Sequence, residues 1–225
     1  MTDASQTLSL TTAQALDFLA ELARDLLARR PGRLALGFAG GPGVGKSTLA
    51  TQLVERLNAG TPSLAAYVPM DGFHMRHAKL EALGTVADKG APHTFEGAAF
   101  AQFLERLKVA TGPMRGPGYS RQIEDVVDDA FTVAASVRLL VVEGNYLLLA
   151  EPPWGRVRTL LDSAVFIAVP RETARARLLR RHAAAGLFSE ARNREHVERV
   201  DLPNYDLVAR SRPRADIAIN IVSDS

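Results

Sequence analysis

Cysteine is absent from the 225 residues, which excludes disulfides, thiolate metal centres and a cysteine nucleophile. That absence fits a reducing compartment, and a cytoplasmic location is the expectation. No apolar run approaches the roughly 20 residues of a membrane-spanning helix, and the first residues lack the basic start and apolar stretch of a signal peptide. No membrane partner is therefore expected. Charge of one sign is also missing: 27 Lys and Arg stand against 25 Asp and Glu, a net +2. That bias is too weak to argue for a nucleic-acid partner. Internal repeats and low-complexity segments are absent too. What remains is 47% hydrophobic and 23% charged, the composition of a chain that builds a packed core and not a disordered one.

Residues 40–47 read Gly-Gly-Pro-Gly-Val-Gly-Lys-Ser, which matches the phosphate-binding loop pattern G-x-x-x-x-G-K-[ST] without a mismatch. The context is also right. An apolar run at 34–39 reads as a buried strand before it, and 47–57 reads as a helix after it. Glycines let the backbone bend so that successive N–H groups converge on an anion, and the helix N-terminus adds its dipole. Gly40, Gly41, Pro42, Gly43, Val44, Gly45, Lys46, Ser47 and Thr48 are thus the candidate nucleotide site. Lys46 is placed to reach the β- and γ-phosphates and the Ser47 hydroxyl to hold Mg²⁺. The expected cofactors are ATP and Mg²⁺.

The remaining pattern is strands separated by helices. Residues 1–10 are small and polar and read as a frayed tail. Thr11 and Gln14 form a capping box ahead of a leucine stripe that stops at Pro31 and Gly32. Strands are expected at 65–70, 137–142, 164–169 and 216–222. Helices are expected at 96–109, 154–161, 172–185 and 190–200, with Trp154 packing the second of these. Three glycines and two prolines between 112 and 118 read as a loop. The expectation is an α/β chain: a P-loop three-layer fold, with a mostly parallel sheet and helices on both faces. Residues 1–32 would form a tail and helix and 33–225 the catalytic body, within a single domain overall. Ligands bind at the carboxyl ends of such strands.

Three strand ends carry chemistry: the phosphate loop, Asp71 to His74, and Glu143 to Tyr146, and the strand leading to Asp71 is expected beside the phosphate-loop strand. A carboxylate beyond a buried strand beside a nucleotide can coordinate Mg²⁺, take a proton from an attacking hydroxyl, or merely cap a helix. His74 is open between substrate ligand, partner of Asp71 and surface residue. His77 and His93 lack the spacing of a metal site. The arginines between 171 and 199 are either a solvated helix face or a source of charge for a phosphoryl transition state.

Residues 40–47, 71–74, 89–92, 119–125 and 142–148, in this order, resemble the phosphoribulokinase/uridine kinase/pantothenate kinase group of P-loop kinases. Within it the chain is similar to bacterial nucleoside/nucleotide kinase or fructose transport system kinase (fructokinase-like) proteins. The resemblance implies Asp71 as base on the acceptor hydroxyl and Glu143 as a second Mg²⁺ residue. It implies Tyr119, Arg121 and Asn204 in the acceptor pocket, where His74 is a further candidate from its place in the sequence, and Arg177, Arg180 and Arg181 on an arginine-rich helical lid. Because 180 and 181 diverge on a helix, Arg177 and Arg181 are the pair expected to face the phosphates. Arg121 replaces a histidine of the pantothenate kinase stretch, which points to an acceptor with an anionic or more polar edge. His93 and Glu96 also depart from the group's pattern.

The function expected is transfer of a γ-phosphoryl group to a hydroxyl of a small molecule: a sugar such as fructose, a nucleoside or a pantothenate-like compound. A nucleoside monophosphate kinase and a nucleotide-dependent switch or transport accessory are the alternatives. The N-K-x-D segment of GTPases and the L-S-G-G-Q of transporter ATPases are absent. A homodimer is compatible with this reading, and the acceptor's identity is open.

Overall fold

The computed structural model describes residues 6–223. Its elements, in chain order, begin with β1 (Gln6–Leu10), α1 (Thr12–Arg29), β2 (Leu34–Ala39), α2 (Lys46–Gly60) and β3 (Ala65–Pro69). Then follow α3 (His77–Leu83), α4 (Gly97–Val109), β4 (Met114–Ser120), β5 (Asp125–Val133) and β6 (Leu139–Gly144). The last third is α5 (Gly155–Leu160), β7 (Ser163–Ala168), α6 (Arg171–Ala185), α7 (Glu190–His196), α8 (Leu202–Ala209) and β8 (Ile217–Ile221). Six strands form one sheet in the order β1-β8-β7-β2-β6-β3, and every pairing in it is parallel.

The central strands are apolar along their whole length because both faces are covered. In β6, Leu139 and Val141 join one core with Leu36 and Phe38 of β2, against α1 and α2. Leu140 and Val142 join the other, with Phe100 and Leu104 of α4 and Val157 of α5. Period-two alternation thus feeds two cores from one strand. The capping box at Thr11 and Gln14 is present.

Four expectations are corrected here. Gln6–Leu10 is an edge strand paired with β8, not a frayed tail; Thr7 and Ser9 face solvent while Leu8 and Leu10 are partly buried, an alternation that fits one covered face. Residues 1–5 of that expected tail lie outside the described residues. The stretch expected as a loop at 112–118 becomes β4, which pairs antiparallel with β5 in a separate two-stranded ribbon. The register shifts between Gly116 and Gly118, so Pro117, which has no N–H, sits at the irregularity and costs the ladder nothing. The helix expected over 190–200 stops at His196 and runs through a π-helical turn, Val197–Asp201, into α8. Finally, β3 does not neighbour β2, as expected for the strand leading to Asp71: β6 lies between them.

Among the described residues no helix is long and apolar enough to cross a membrane.

Candidate active site

The segment 40–45 joins β2 to α2. Gly43 and Gly45 have φ of 79° and 97°, the left-handed region that glycine adopts without strain. A Cβ at Gly43 would also lie 2.8 Å from the carbonyl oxygen of Ala174 on α6. Gly45 caps α2 without a side chain to accept from the first turn, which leaves those amides to an anion. Lys46 is only 6% exposed. Its Nζ donates to the Gly41 carbonyl at 3.0 Å and to Asn145 Oδ1 at 2.7 Å, and lies 3.6 Å from Glu143 Oε1. Buried ammonium, glycine cradle and uncapped helix form a donor set suited to a polyphosphate.

Glu143 ends the central strand β6. Its Oε2 accepts from Ser47 Oγ at 3.1 Å and from the Tyr67 hydroxyl at 2.8 Å. Burial pushes the carboxyl up and the Lys46 ammonium pulls it back. Burial likewise lowers Lys46, opposed first by Glu143 and then by Asp71. The Tyr67 hydroxyl is pushed up by burial and by the Glu143 charge, so it stays protonated as a donor.

Asp71 lies in a 3₁₀ turn, Met70–Phe73, directly after β3. Gly72 in that turn abuts the Pro117 carbonyl of β4 with no room for a Cβ, which fixes the turn against the ribbon. The ribbon contributes Tyr119 and, just beyond it, Arg121, whose Nη2 is 3.5 Å from Asp71 Oδ2. The His74 ring has its centroid 3.8 Å from that of Phe95 and 4.5 Å from that of Tyr119. His74 Nδ1 donates to the Asp71 carbonyl at 2.7 Å. Burial lowers the imidazole's pKa, so the ring is neutral near pH 7, with its proton on Nδ1 and a lone pair on Nε2. Burial raises the Tyr119 hydroxyl, and Lys89 Nζ lies 5.4 Å from the centre of its ring.

The third side of the site is α6. Arg177 Nη1 donates to the Val44 carbonyl at 3.2 Å. Arg181 turns the same way; its Nε is buried without a hydrogen-bond partner, and burial and the nearby Arg121 charge lower its pKa. Arg180 is exposed. Arg171 and Arg175 instead pair with Asp206 at 3.0 Å and Glu198 at 2.7 Å. Asn204 Nδ2 donates to the Gly90 carbonyl at 3.2 Å, which also accepts from the Tyr146 hydroxyl, so Asn204 braces the 89–90 loop.

These groups line one cavity of about 630 Å³. Pro42, Gly43, Gly45, Lys46, Ser47, Thr48 and Glu143 are at the phosphate loop, and Asp71, His74, Tyr119, Arg121, Arg177, Arg181 and Asn204 also line it. Gly40, Gly41 and Val44 do not. Val44 packs into the core on α1 and α2. Sequence reasoning missed Tyr67 and Asn145 as partners of Glu143 and Lys46, and missed Lys89, Glu124, His182 and His196 in the lining. Asn145 lies within the motif at 142–148; Tyr67 gives no signal beyond its place near the end of β3.

No protein-family model matches the chain. It is 34% identical over 194 residues to a candidate uridine kinase of Schizosaccharomyces pombe, covering 83% of each chain. It is 32% identical over 134 residues to the pantothenate kinase of Lacticaseibacillus casei, covering 59% of this chain and 44% of that one. Among solved structures, a candidate fructose transport system kinase of Silicibacter sp. TM1040 superposes with a TM-score of 0.82 at 33% identity, covering 90% of this chain and 98% of that one.

Proposed function

The chain belongs to the P-loop kinases of the phosphoribulokinase, uridine kinase and pantothenate kinase group, and we propose that it moves the γ-phosphoryl group of ATP to a hydroxyl of a small molecule. The observation that carries this reading is one cavity lined both by the phosphate loop and by Asp71, His74, Tyr119 and Arg121. A nucleotide switch has no need of that second set of residues. The similar proteins named above support the small-molecule kinase reading, and their differing substrates leave the acceptor class among sugars, nucleosides and pantothenate-like alcohols.

ATP with Mg²⁺ supplies the transferable phosphoryl group and the cation that neutralises its charge. The chain's residues then divide the work. Lys46 and the amides of 43–48 hold the β- and γ-phosphates. Ser47 and Glu143, already hydrogen-bonded to each other, hold the cation side. Asp71 accepts the proton of the acceptor hydroxyl. In a loose phosphoryl transfer that proton leaves late, so Asp71 needs position more than a raised pKa. The Nε2 lone pair of neutral His74 accepts from a neighbouring acceptor hydroxyl. Tyr119 gives the acceptor a ring to lie against, and Arg121 meets its polar or anionic edge. Arg177 and Arg181, on α6, close over the phosphates and keep water out.

A second reading, a nucleoside monophosphate acceptor, is favoured by Arg121 and Arg181 converging close enough for their charges to repel. Purified protein with Mg-ATP and a panel of sugars, nucleosides, pantothenate-like alcohols and nucleoside monophosphates tests both. Acceptor-dependent ADP release with one hydroxyl class supports the first reading. Release with monophosphates alone supports the second. ADP release that no acceptor stimulates overturns both.

A further inference from the structure

We propose that His182, His196 and Asp201 form a binding site for a single transition-metal dication of the zinc class, separate from the cation side at Ser47 and Glu143. One potential ligand atom from each of the three lies within 4.8 Å of the other two. His182 Nε2 is 2.9 Å from Asp201 Oδ2, and the two imidazoles meet edge to face with centroids 5.4 Å apart. Ligand atoms on a tetrahedral Zn²⁺ lie about 3.4 Å apart, given bonds of 2.0–2.1 Å, so rotation of the side chains must draw the three atoms together on binding.

The backbone is built to make this cluster. His196 and Asp201 are five residues apart, and on an α-helix side chains at that spacing point to different faces. Here α7 gives way at His196 to a π-helical turn, Val197–Asp201. Its i to i+5 geometry widens the helix and brings the two side chains together, as such turns commonly do at functional sites. The third ligand comes from the last turn of α6. A metal here would therefore tie the helix that carries Arg177 and Arg181 to the segment after it.

The chemistry selects the ion. Two imidazoles and one carboxylate suit zinc, cobalt or nickel, whereas Mg²⁺ prefers oxygen ligands alone. Burial lowers the pKa of His196, which keeps it in the neutral form that binds metal. Asp201 and Glu124 face His196 with negative charge and Arg181 faces it with positive charge. On binding, the metal takes the place of the hydrogen between His182 Nε2 and Asp201 Oδ2, and the His182 proton moves to Nδ1. All three residues line the same cavity as the phosphate loop. With three protein ligands the fourth position opens into that cavity, the arrangement of a site that takes water or an anionic oxygen.

The test is titration of the purified full chain with Co²⁺ and Zn²⁺ at saturating Mg²⁺, read by the visible d–d absorption of Co²⁺ and by the thermal unfolding midpoint with Zn²⁺. The expected result is one Co²⁺ per chain with an intense, low-coordinate spectrum, displaced by Zn²⁺ and not by Mg²⁺. His196→Gln and Asp201→Asn should each weaken binding by more than the 10–100-fold typical of losing a residue that only supports a ligand. His93→Gln, in a surface pair with Asp88, should change nothing. His196→Gln guards against misfolding of the Asp201 variant, because the His196 side chain is only partly buried and, among the described residues, makes no hydrogen bond comparable to that of Asp201 with His182. No saturable Co²⁺ binding in the parent, displacement by Mg²⁺, or full binding by His196→Gln would each overturn the proposal.

Discussion

Ser47 Oγ donates to Glu143 Oε2 at 3.1 Å, so the start of α2 and the end of β6 meet before any ligand arrives. Adjacent strands in parallel register bring this about: Phe38 of β2 sits beside Glu143 of β6. On the proposed function, the cation would find both side chains already together. Glu143→Gln keeps the shape and removes the charge. It should raise the Mg²⁺ concentration required for half-maximal rate and cut turnover more than nucleotide affinity. Unaltered Mg²⁺ dependence would remove Glu143 from the cation side.

Lys46 and Glu143 are both buried and 3.6 Å apart. Removing one charge strands the other, which typically costs about 3–5 kcal/mol. Lys46→Ala should therefore abolish turnover and also lower stability in denaturant, while Lys46→Ala with Glu143→Gln should recover part of that stability and none of the activity. Equal stability of the single and double variants would mean the pair is not coupled.

Arg177 and Arg181 face the cavity and Arg180 faces solvent. Charge-removing changes at 177 or 181 should slow phosphoryl transfer tenfold or more, the scale of a lost transition-state contact. Arg180→Ala should leave the rate within about twofold, as for a solvated side chain. Equal rates for all three variants would return the helix to a purely structural role.

Burial holds the pKa of His74 below its ordinary 6.5. The unfolded chain then binds a proton that the folded chain refuses, so stability is lost as the pH falls below 6.5 and regained as it rises. His196 contributes with the same sign. Denaturant unfolding of His74→Gln between about pH 7 and pH 5 should show a shallower loss than the parent. Identical slopes would show that His74 is not held neutral.

Much of this site was legible in the sequence because it rests on short-range rules. The phosphate loop needs glycine at fixed offsets, and a strand buried on both faces reads as an apolar run, so residues 34–48 and 137–143 announce themselves. Helix geometry separates Arg180 from Arg181, but only the structure shows that Arg177 sides with Arg181. What was not legible depends on long-range pairing. The strand at Gln6–Leu10 exists only because β8 offers it an edge, and β4 exists only because β5 pairs with it across a shift that spares Pro117. Strand order is likewise a tertiary fact, which is why β6 and not β3 borders β2. The π-turn that unites His196 with Asp201 has no period that a sequence pattern can reveal.

The central claim is that Asp71, which lines the same cavity as Lys46 and lies close enough to act on its charge, takes the acceptor's proton. The direct measurement is acceptor-dependent ADP release by Asp71→Asn, alongside the thermal shift that Mg-ATP produces in the same variant. Loss of general-base catalysis predicts a fall of roughly a hundredfold or more in turnover with the Mg-ATP shift nearly unchanged. Normal acceptor-dependent turnover, or loss of Mg-ATP binding that Mn²⁺ restores, would contradict it.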